Sequence, residues 1–279
     1  MVLKYAVIGD PVEHSLSPIM HEAGYRALNM DATYHRIRVS SSTLKESLSF
    51  LKNNNYSGWN VTFPLKEEIV PFLDHLTASA SIIGAVNTVK VVAGQLHGHN
   101  TDGEGFVKSL INNGYDLKNK KIVLLGAGGA AKAIALTLAS RDLEILILNR
   151  SVKKAENLIR QIASLGGKAS CGLLARGNWL KEVDLLIQTT PVGMKGEDFL
   201  FDLHGIKYGC LVIDLIYNPY VTSLLAQAKS YGCKTMNGLE MLLYQGALAW
   251  EFWFAIEAPM EAMRQSISFY MGDKYNALF

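Results

Sequence analysis

The stretch "KKIVLLGAGGAAKAIALTLA" (residues 120–139) constrains this chain more than any other. A short apolar run reads as a buried strand, a glycine cluster follows at once, and an alanine- and leucine-rich segment then reads as a helix. Within it, "GAGGAA" (Gly126, Ala127, Gly128, Gly129, Ala130, Ala131) fits G-x-G-x-x-G/A in the strand–turn–helix setting that gives the pattern meaning. Gly126 permits the tight turn, Gly128 lets backbone approach a pyrophosphate, and Ala131 lets helix and strand pack closely. The start of the helix attracts the negative charge. The alternative is a glycine-rich turn that binds nothing.

The second strand decides which nucleotide such a loop would take. An NAD site carries Asp or Glu about 20 residues beyond the loop, to hold a ribose hydroxyl. Here "LEILILNR" ends in Asn149, Arg150 and Ser151, followed by Lys153 and Lys154, with no carboxylate at the tip. These cations suit a 2′-phosphate, so the expected cofactor is NADP. One of the two lysines reads equally well as part of a solvated helix face.

The pattern continues as an α/β chain. "SVKKAENLIRQIASLG" reads as a helix, "VDLLIQTT" and "CLVIDLIY" as buried strands, and the stretch from Gly238 to about 270 as helical. Before residue 100, strand-like and helix-like runs also alternate: "KYAVIGD", a helix from "SPIMHEAGYRAL" with Ser17 as N-cap and Pro18 at its first position, "ATYHRIRV", "TLKESLSFLKN" with a Thr43–Glu46 capping box, the "WNVT" strand, a helix from Pro64, another near 77–83, and a hairpin turning at Ala93-Gly94. The 279 residues suffice for two domains. With 49% hydrophobic and 19% charged residues the chain is globular, and a net charge of +2 points to neither nucleic acid nor a membrane surface. The start lacks the pattern of a signal peptide, and no segment reaches the ~20 apolar residues of a membrane span. Cys171, Cys210 and Cys233 are few and scattered, which suggests reduced thiols in a cytoplasmic protein. No Cys or His pair has ligand spacing; His97 and His99 share one strand face as polar surface, so no metal is expected.

"NVTFPLKEE" (60–68) raises a different question, since it gathers an amide, a hydroxyl and the ammonium of Lys66 at a strand end. Lys66 is either a surface lysine on a helix or a catalytic group on a loop. The stretch stands in a series: "HSLSP" (14–18), "NVTFPLK" (60–66), "GAVNTV" (84–89), "NTDGEGF" (100–106), "GAGGAA" (126–131), "NRS" (149–151), "TTPVGM" (189–194), "DLIYNP" (214–219) and "NGLEMLLYQGA" (237–247). In this order and spacing, over nearly the whole chain, the set resembles the shikimate dehydrogenase family.

The resemblance implies NADPH-dependent, reversible reduction of 3-dehydroshikimate to shikimate, in chorismate and aromatic amino-acid biosynthesis, by a monomer or homodimer. It implies two α/β domains with a cleft between them: a mostly parallel-sheet substrate domain at 1–102, completed by C-terminal helices from 238 on, and a Rossmann-type NADP domain at 103–237. It assigns Ser15 and Ser17 to the substrate carboxylate, Asn60, Thr62, Asn87 and Gln245 to the ring hydroxyls, and Tyr217 to the rim. Thr190, Leu215 and Gly238 fall to the cofactor. Lys66 and Asp102 become the catalytic pair, able to stabilise a developing alkoxide and give it a proton. Which of the two moves the proton stays open, as does a capping role for Asp102 at the next helix and for Ser17 at its own. The sequence departs from the family at Glu22, where many relatives have Asn, and at Gln188, where a small residue or Asn is common. The nearest rival is a quinate/shikimate dehydrogenase, with NAD as an alternative cofactor; relatives of that type often carry an acidic residue where Asn149 and Arg150 stand. A regulator that keeps the fold without turnover would be expected to lack Lys66 or Asp102.

Overall fold

The computed structural model describes residues 2–272 and divides into two compact units: 2–105 with 242–272, and 106–241. The chain leaves the first unit just inside one helix, after Gly105, and re-enters it inside another, at Leu242.

The first unit is built on β1 (Leu3–Gly9), α1 (Ser17–Ala27), β2 (Ala32–Arg38), α2 (Leu44–Asn53), β3 (Tyr56–Val61), β4 (His75–Leu76), α3 (Ala78–Ile83), β5 (Thr88–Val92) and β6 (Gln95–His99). The strands form one sheet in the order β2-β1-β3-β5-β6-β4. β1 runs parallel to both its neighbours, β4 runs parallel to β6, and the β5–β6 hairpin adds antiparallel pairings to β3 and within itself. The five residues Tyr5–Gly9 are all buried, as a strand covered on both faces requires. Ile8, Leu51, Trp59, Leu65, Ile69 and Val89 form the core beneath.

Three local expectations give way here. Ser17 lies inside α1 rather than capping it; Leu16 is at the cap position and Ser15 Oγ accepts the Ser17 N–H at 3.3 Å. The capping box forms one turn earlier, between Ser40 and Thr43, so Glu46 has no part in it. No helix starts at Pro64. The carbonyl of Lys66, which a helix would bond to residue 70, is instead taken by the Val86 N–H at 2.7 Å, so the segment runs as consecutive turns. Leu65 and Ile69 are drawn fully into the core, which fixes the loop between them.

The second unit takes in most of α4 (Asp102–Asn112), then β7 (Ile122–Leu125), α5 (Gly129–Ala139), β8 (Ile145–Asn149), α6 (Val152–Ser164), β9 (Ala169–Leu173), β10 (Leu185–Gln188), β11 (Leu211–Asp214), α7 (Ser223–Ser230) and β12 (Lys234–Met236). The sheet order β12-β11-β10-β7-β8-β9 is wholly parallel. Numbered from β7 it reads 6-5-4-1-2-3, the doubly wound order whose direction reverses between first and fourth strands. The two outermost strands, "ASCGL" and "KTM", are short and half exposed, and carry too little apolar pattern to be read from sequence. The helical C-terminal stretch is two helices, α8 (Leu239–Phe254) and α9 (Met260–Met271), broken before Pro259; α9 packs on α1 in the first unit. Among the described residues no helix is long and apolar enough to cross a membrane.

Candidate active site

Lys66 and Asp102 meet. Lys66 Nζ donates to Asp102 Oδ2 at 2.6 Å, with side chains 18% and 4% exposed. Lys66 is carried by the turns after β3, held from behind by the Val86 bond. Asp102 is the first residue of α4, and its backbone N–H is accepted by Asn100 Oδ1, while Asn100 Nδ2 donates to the Ala85 carbonyl. Its carboxylate therefore faces the lysine, and Asn100 serves the backbone at the helix start. Asn87 Nδ2 donates to the other oxygen, Asp102 Oδ1, at 2.9 Å. One carboxylate thus takes a charged donor on one oxygen and a neutral one on the other, an arrangement that holds its position closely.

Asn87 is the hub of this cluster. Its Oδ1 accepts the Thr101 backbone N–H at 2.9 Å and the Thr88 hydroxyl at 3.0 Å. Its two amide protons face three acceptors: Thr101 Oγ1 at 2.8 Å, Asp102 Oδ1 at 2.9 Å and Gln245 Oε1 at 3.3 Å. Gln245 has the longest of these and anchors its own amide on Leu242 O at 2.8 Å, so its Oε1 is the least engaged acceptor. What brings it there is Gly105: a Cβ on Gly105 would lie 2.7–2.8 Å from Gln245 backbone atoms, so only glycine lets the start of α4 touch α8 this closely. The sequence carried that signal as the second glycine of "NTDGEGF".

Asn60 is tied to two strands of the same sheet. Its Oδ1 accepts Tyr34 OH at 2.6 Å, and Nδ2 donates to Asn87 O and Thr88 Oγ1, both at 3.1 Å. Both its amide protons are engaged inside the protein, while Oδ1, with Tyr34 as one donor, keeps a second lone pair. Thr62 is half buried just past β3, its N–H bonded to Ile8 O and its methyl against Gly9, where a Cβ would come within 2.4 Å. Ser15 uses its hydroxyl on the Ser17 N–H, and its carbonyl is gripped by Arg36 from Nε and Nη2 at 2.9 and 2.7 Å. Arg36 and Tyr34 were not singled out from sequence; an alternating strand gives no reason to prefer them. Glu22 is half buried on α1, and His21 beside it is buried, its imidazole pushed down to about 3 by burial.

In the second unit, Gly126 has φ +118°, and a Cβ there would meet Thr189 Oγ1 at 2.4 Å. Thr189 in turn donates to Leu125 O through its hydroxyl at 2.7 Å, closing β7 against β10 where the strand order reverses. A Cβ on Gly128, at the cap of α5, would enter open space. The chain's own packing therefore does not demand glycine there, whereas a closely approaching ligand would. Ala127 and Ala131 are buried, and Gly129 and Ala130 open α5. Asn149 at the end of β8 binds the Ser151 carbonyl, and Ser151 caps α6 by backbone geometry alone. Arg150, Lys153 and Lys154 are exposed, and among the described residues no acidic side chain pairs with them.

Gln188 is fully buried and spans the "TTPVGM" turn, accepting from Thr190 N and donating to Val192 O, so the departure at this position props the turn from inside. Leu215 and Tyr217 follow β11 on a loop tied at its base: Asp214 accepts from Ile216 N at 3.1 Å and from Thr222 Oγ1 at 2.7 Å. Burial pushes this carboxyl up to about 6, the two hydrogen bonds pulling the other way. Gly238 lies against the Leu215 backbone, where a Cβ would come within 2.0 Å of the Leu215 carbonyl oxygen.

A doubly wound unit with a dinucleotide loop, in one chain with a second α/β unit that bears a lysine–aspartate pair, is the makeup of a two-unit nicotinamide-dinucleotide dehydrogenase. Sequence profiles for the shikimate dehydrogenase substrate-binding domain, the shikimate/quinate 5-dehydrogenase and the shikimate 5-dehydrogenase C-terminal domain match residues 7–89, 107–193 and 238–267. The chain belongs to the shikimate dehydrogenase family. It is 52% identical to the NADP(+) shikimate dehydrogenase of Desulfitobacterium hafniense, covering 96% of this chain and 98% of that one. A shikimate dehydrogenase solved in complex with NADP+ superposes with a TM-score of 0.87 at 39% identity, over 97% of this chain and 96% of that one. The Thermus thermophilus enzyme in complex with NADP(H) and shikimate gives 0.85 at 34% identity, over 95% and 98%.

Proposed function

We propose that this chain interconverts shikimate and 3-dehydroshikimate with NADP as the redox partner. The observation that carries the reading is the partly buried Lys66–Asp102 pair at 2.6 Å. An ammonium set beside a carboxylate can hold a hydroxyl from both sides, stabilise it as it becomes an alkoxide, and hold or move the proton at that oxygen. Asn87 and the lightly engaged Oε1 of Gln245 lie beside the pair and suit neighbouring ring hydroxyls. Ser15, Ser17, Asn60 and Thr62 are the residues we assign to the rest of the ring and its carboxylate, with Tyr217 at the rim.

The second unit fits NADP on its own terms. Gly128 leaves open space at the start of α5, where N–H groups and the helix dipole favour pyrophosphate. Arg150, Lys153 and Lys154 are exposed cations free to meet a 2′-phosphate, with Asn149 and Ser151 beside them. Thr190, Leu215 and Gly238 lie on the turns after β10, β11 and β12, at the strand ends where ligands of this fold bind. When bound, the cofactor supplies or accepts the hydride.

Steady-state assay of shikimate and quinate, each with NADP and NAD, tests the reading. Shikimate with NADP should give the highest kcat/KM. A higher value for quinate or for NAD would overturn the substrate or the cofactor assignment respectively.

A further inference from the structure

We infer that Thr88 is a positioning residue for this reaction, the middle of a buried one-way hydrogen-bond relay that runs Tyr34–Asn60–Thr88–Asn87–Asp102 and ends on the catalytic pair. The inference rests on the function proposed above for Lys66 and Asp102.

Two backbone atoms fix the direction of the relay. The Asn87 carbonyl can only accept, so the Asn60 group 3.1 Å from it must be the NH2. Asn60 Oδ1 then faces Tyr34, whose hydroxyl must donate, at 2.6 Å. The second Asn60 proton goes to Thr88 Oγ1 at 3.1 Å, and Thr88 uses its own proton on Asn87 Oδ1 at 3.0 Å. At the other end the Thr101 N–H can only donate, so the atom 2.9 Å away must be Asn87 oxygen, and the Asn87 NH2 is turned toward Asp102 Oδ1. Each link has the polarity that the next one needs. Thr88 is the one hydroxyl in the series that both accepts from one amide and donates to the other, and it is wholly buried. Water cannot replace it without opening the sheet. The head of the relay is held as firmly: the Tyr34 ring stacks on His21 with centroids 4.7 Å apart and planes 5° from parallel.

Thr88→Val keeps the shape and removes both hydrogen bonds. Asn87 Oδ1 loses the Thr88 donor, so kcat for shikimate oxidation should fall about tenfold, the loss of one hydrogen-bond free energy. KM for NADP should not move, because nothing in the relay belongs to the nucleotide unit. Thr88→Ser, which restores the hydroxyl, should bring kcat back to within about twofold of wild type, a rescue that a packing role would not give since serine lacks the methyl. If Thr88→Val does not fold, Tyr34→Phe, which removes only the head of the relay, should lower kcat about threefold with KM for NADP unchanged. An active wild type whose folded variants keep wild-type kcat, or a Ser variant no better than Val, overturns the relay alone. A wild type without shikimate turnover overturns the functional reading and the relay with it.

Discussion

The two halves of this protein prepare for their ligands in opposite ways. In the first unit the polar groups are already bonded to one another: Lys66 to Asp102, Asn87 to Asp102, Thr101 and Gln245, Asn60 to Tyr34 and Thr88. In the second unit the second loop glycine and the cations assigned to the cofactor stand open. Gly128 borders empty space, and Arg150, Lys153 and Lys154 extend into solvent. The difference follows from what each must do. Chemistry needs groups fixed within about half an ångström before the substrate arrives, which takes a network of internal bonds. A long cofactor with both a pyrophosphate and a 2′-phosphate gains most of its affinity from helix dipole, backbone N–H groups and cations that remain unneutralised until it binds.

The sharpest way to break this contrast is to remove the charge in the closed cluster. Lys66→Met should lower kcat by about a hundredfold or more, as for other oxyanion donors and general acids. It should also lower the melting temperature, because Asp102 is left nearly buried with its lysine gone. Shikimate binding, followed by calorimetry, should survive. A mutant with wild-type kcat would end the catalytic assignment.

In the open cluster the same kind of change should leave folding alone. Arg150→Asp removes a charge-assisted bond to the 2′-phosphate and adds repulsion, which costs about 1.5–3 kcal/mol, or roughly tenfold to a hundredfold in NADP affinity. NAD affinity and melting temperature should hardly change, since Arg150 is exposed. An unchanged NADP:NAD ratio would place the phosphate-binding cations elsewhere.

The smallest expected effect belongs to the buried carboxylate that serves neither cluster directly. Asp214 has its acid form favoured in the folded state, with a pKa of about 6 against the ordinary 3.8. Its contribution to stability is therefore full below the unfolded value and is lost as pH rises through about 6, leaving a destabilising buried charge at pH 7.5. Asp214→Asn can still accept from Ile216 and can donate to Thr222. It should raise the melting temperature by a few degrees at pH 7.5, with the gain shrinking steadily toward pH 4.5. A gain that grows on acidification would contradict the direction of the shift.

The contrast also explains what could be read from sequence. The cofactor loop is six consecutive residues after an apolar strand, so its physics is local, and so are Asn149–Lys154 at the next strand end. The pair at 66 and 102 depends on residues as distant as Asn87 and Gln245, 158 positions apart. Nothing in periodicity joins them; only the order of nine separated motifs did. Thr88 and Tyr34 were invisible because each reads as an ordinary strand residue, and the helix expected at Pro64 failed because its decisive hydrogen bond comes from Val86, twenty residues away. β9 and β12 escaped because edge strands this short carry no full apolar period.

The two glycines that open the nucleotide loop are not the same kind of letter. Gly126 is held by its own neighbour, with φ +118° and Thr189 where a side chain would go, whereas Gly128 has nothing above it. A descendant of this chain that gave up the cofactor would have to keep the first glycine in order to fold, but it would be free to let the second drift. In tracing lineages of this fold, the first glycine thus records ancestry of structure, and the second alone records whether the binding trade was kept.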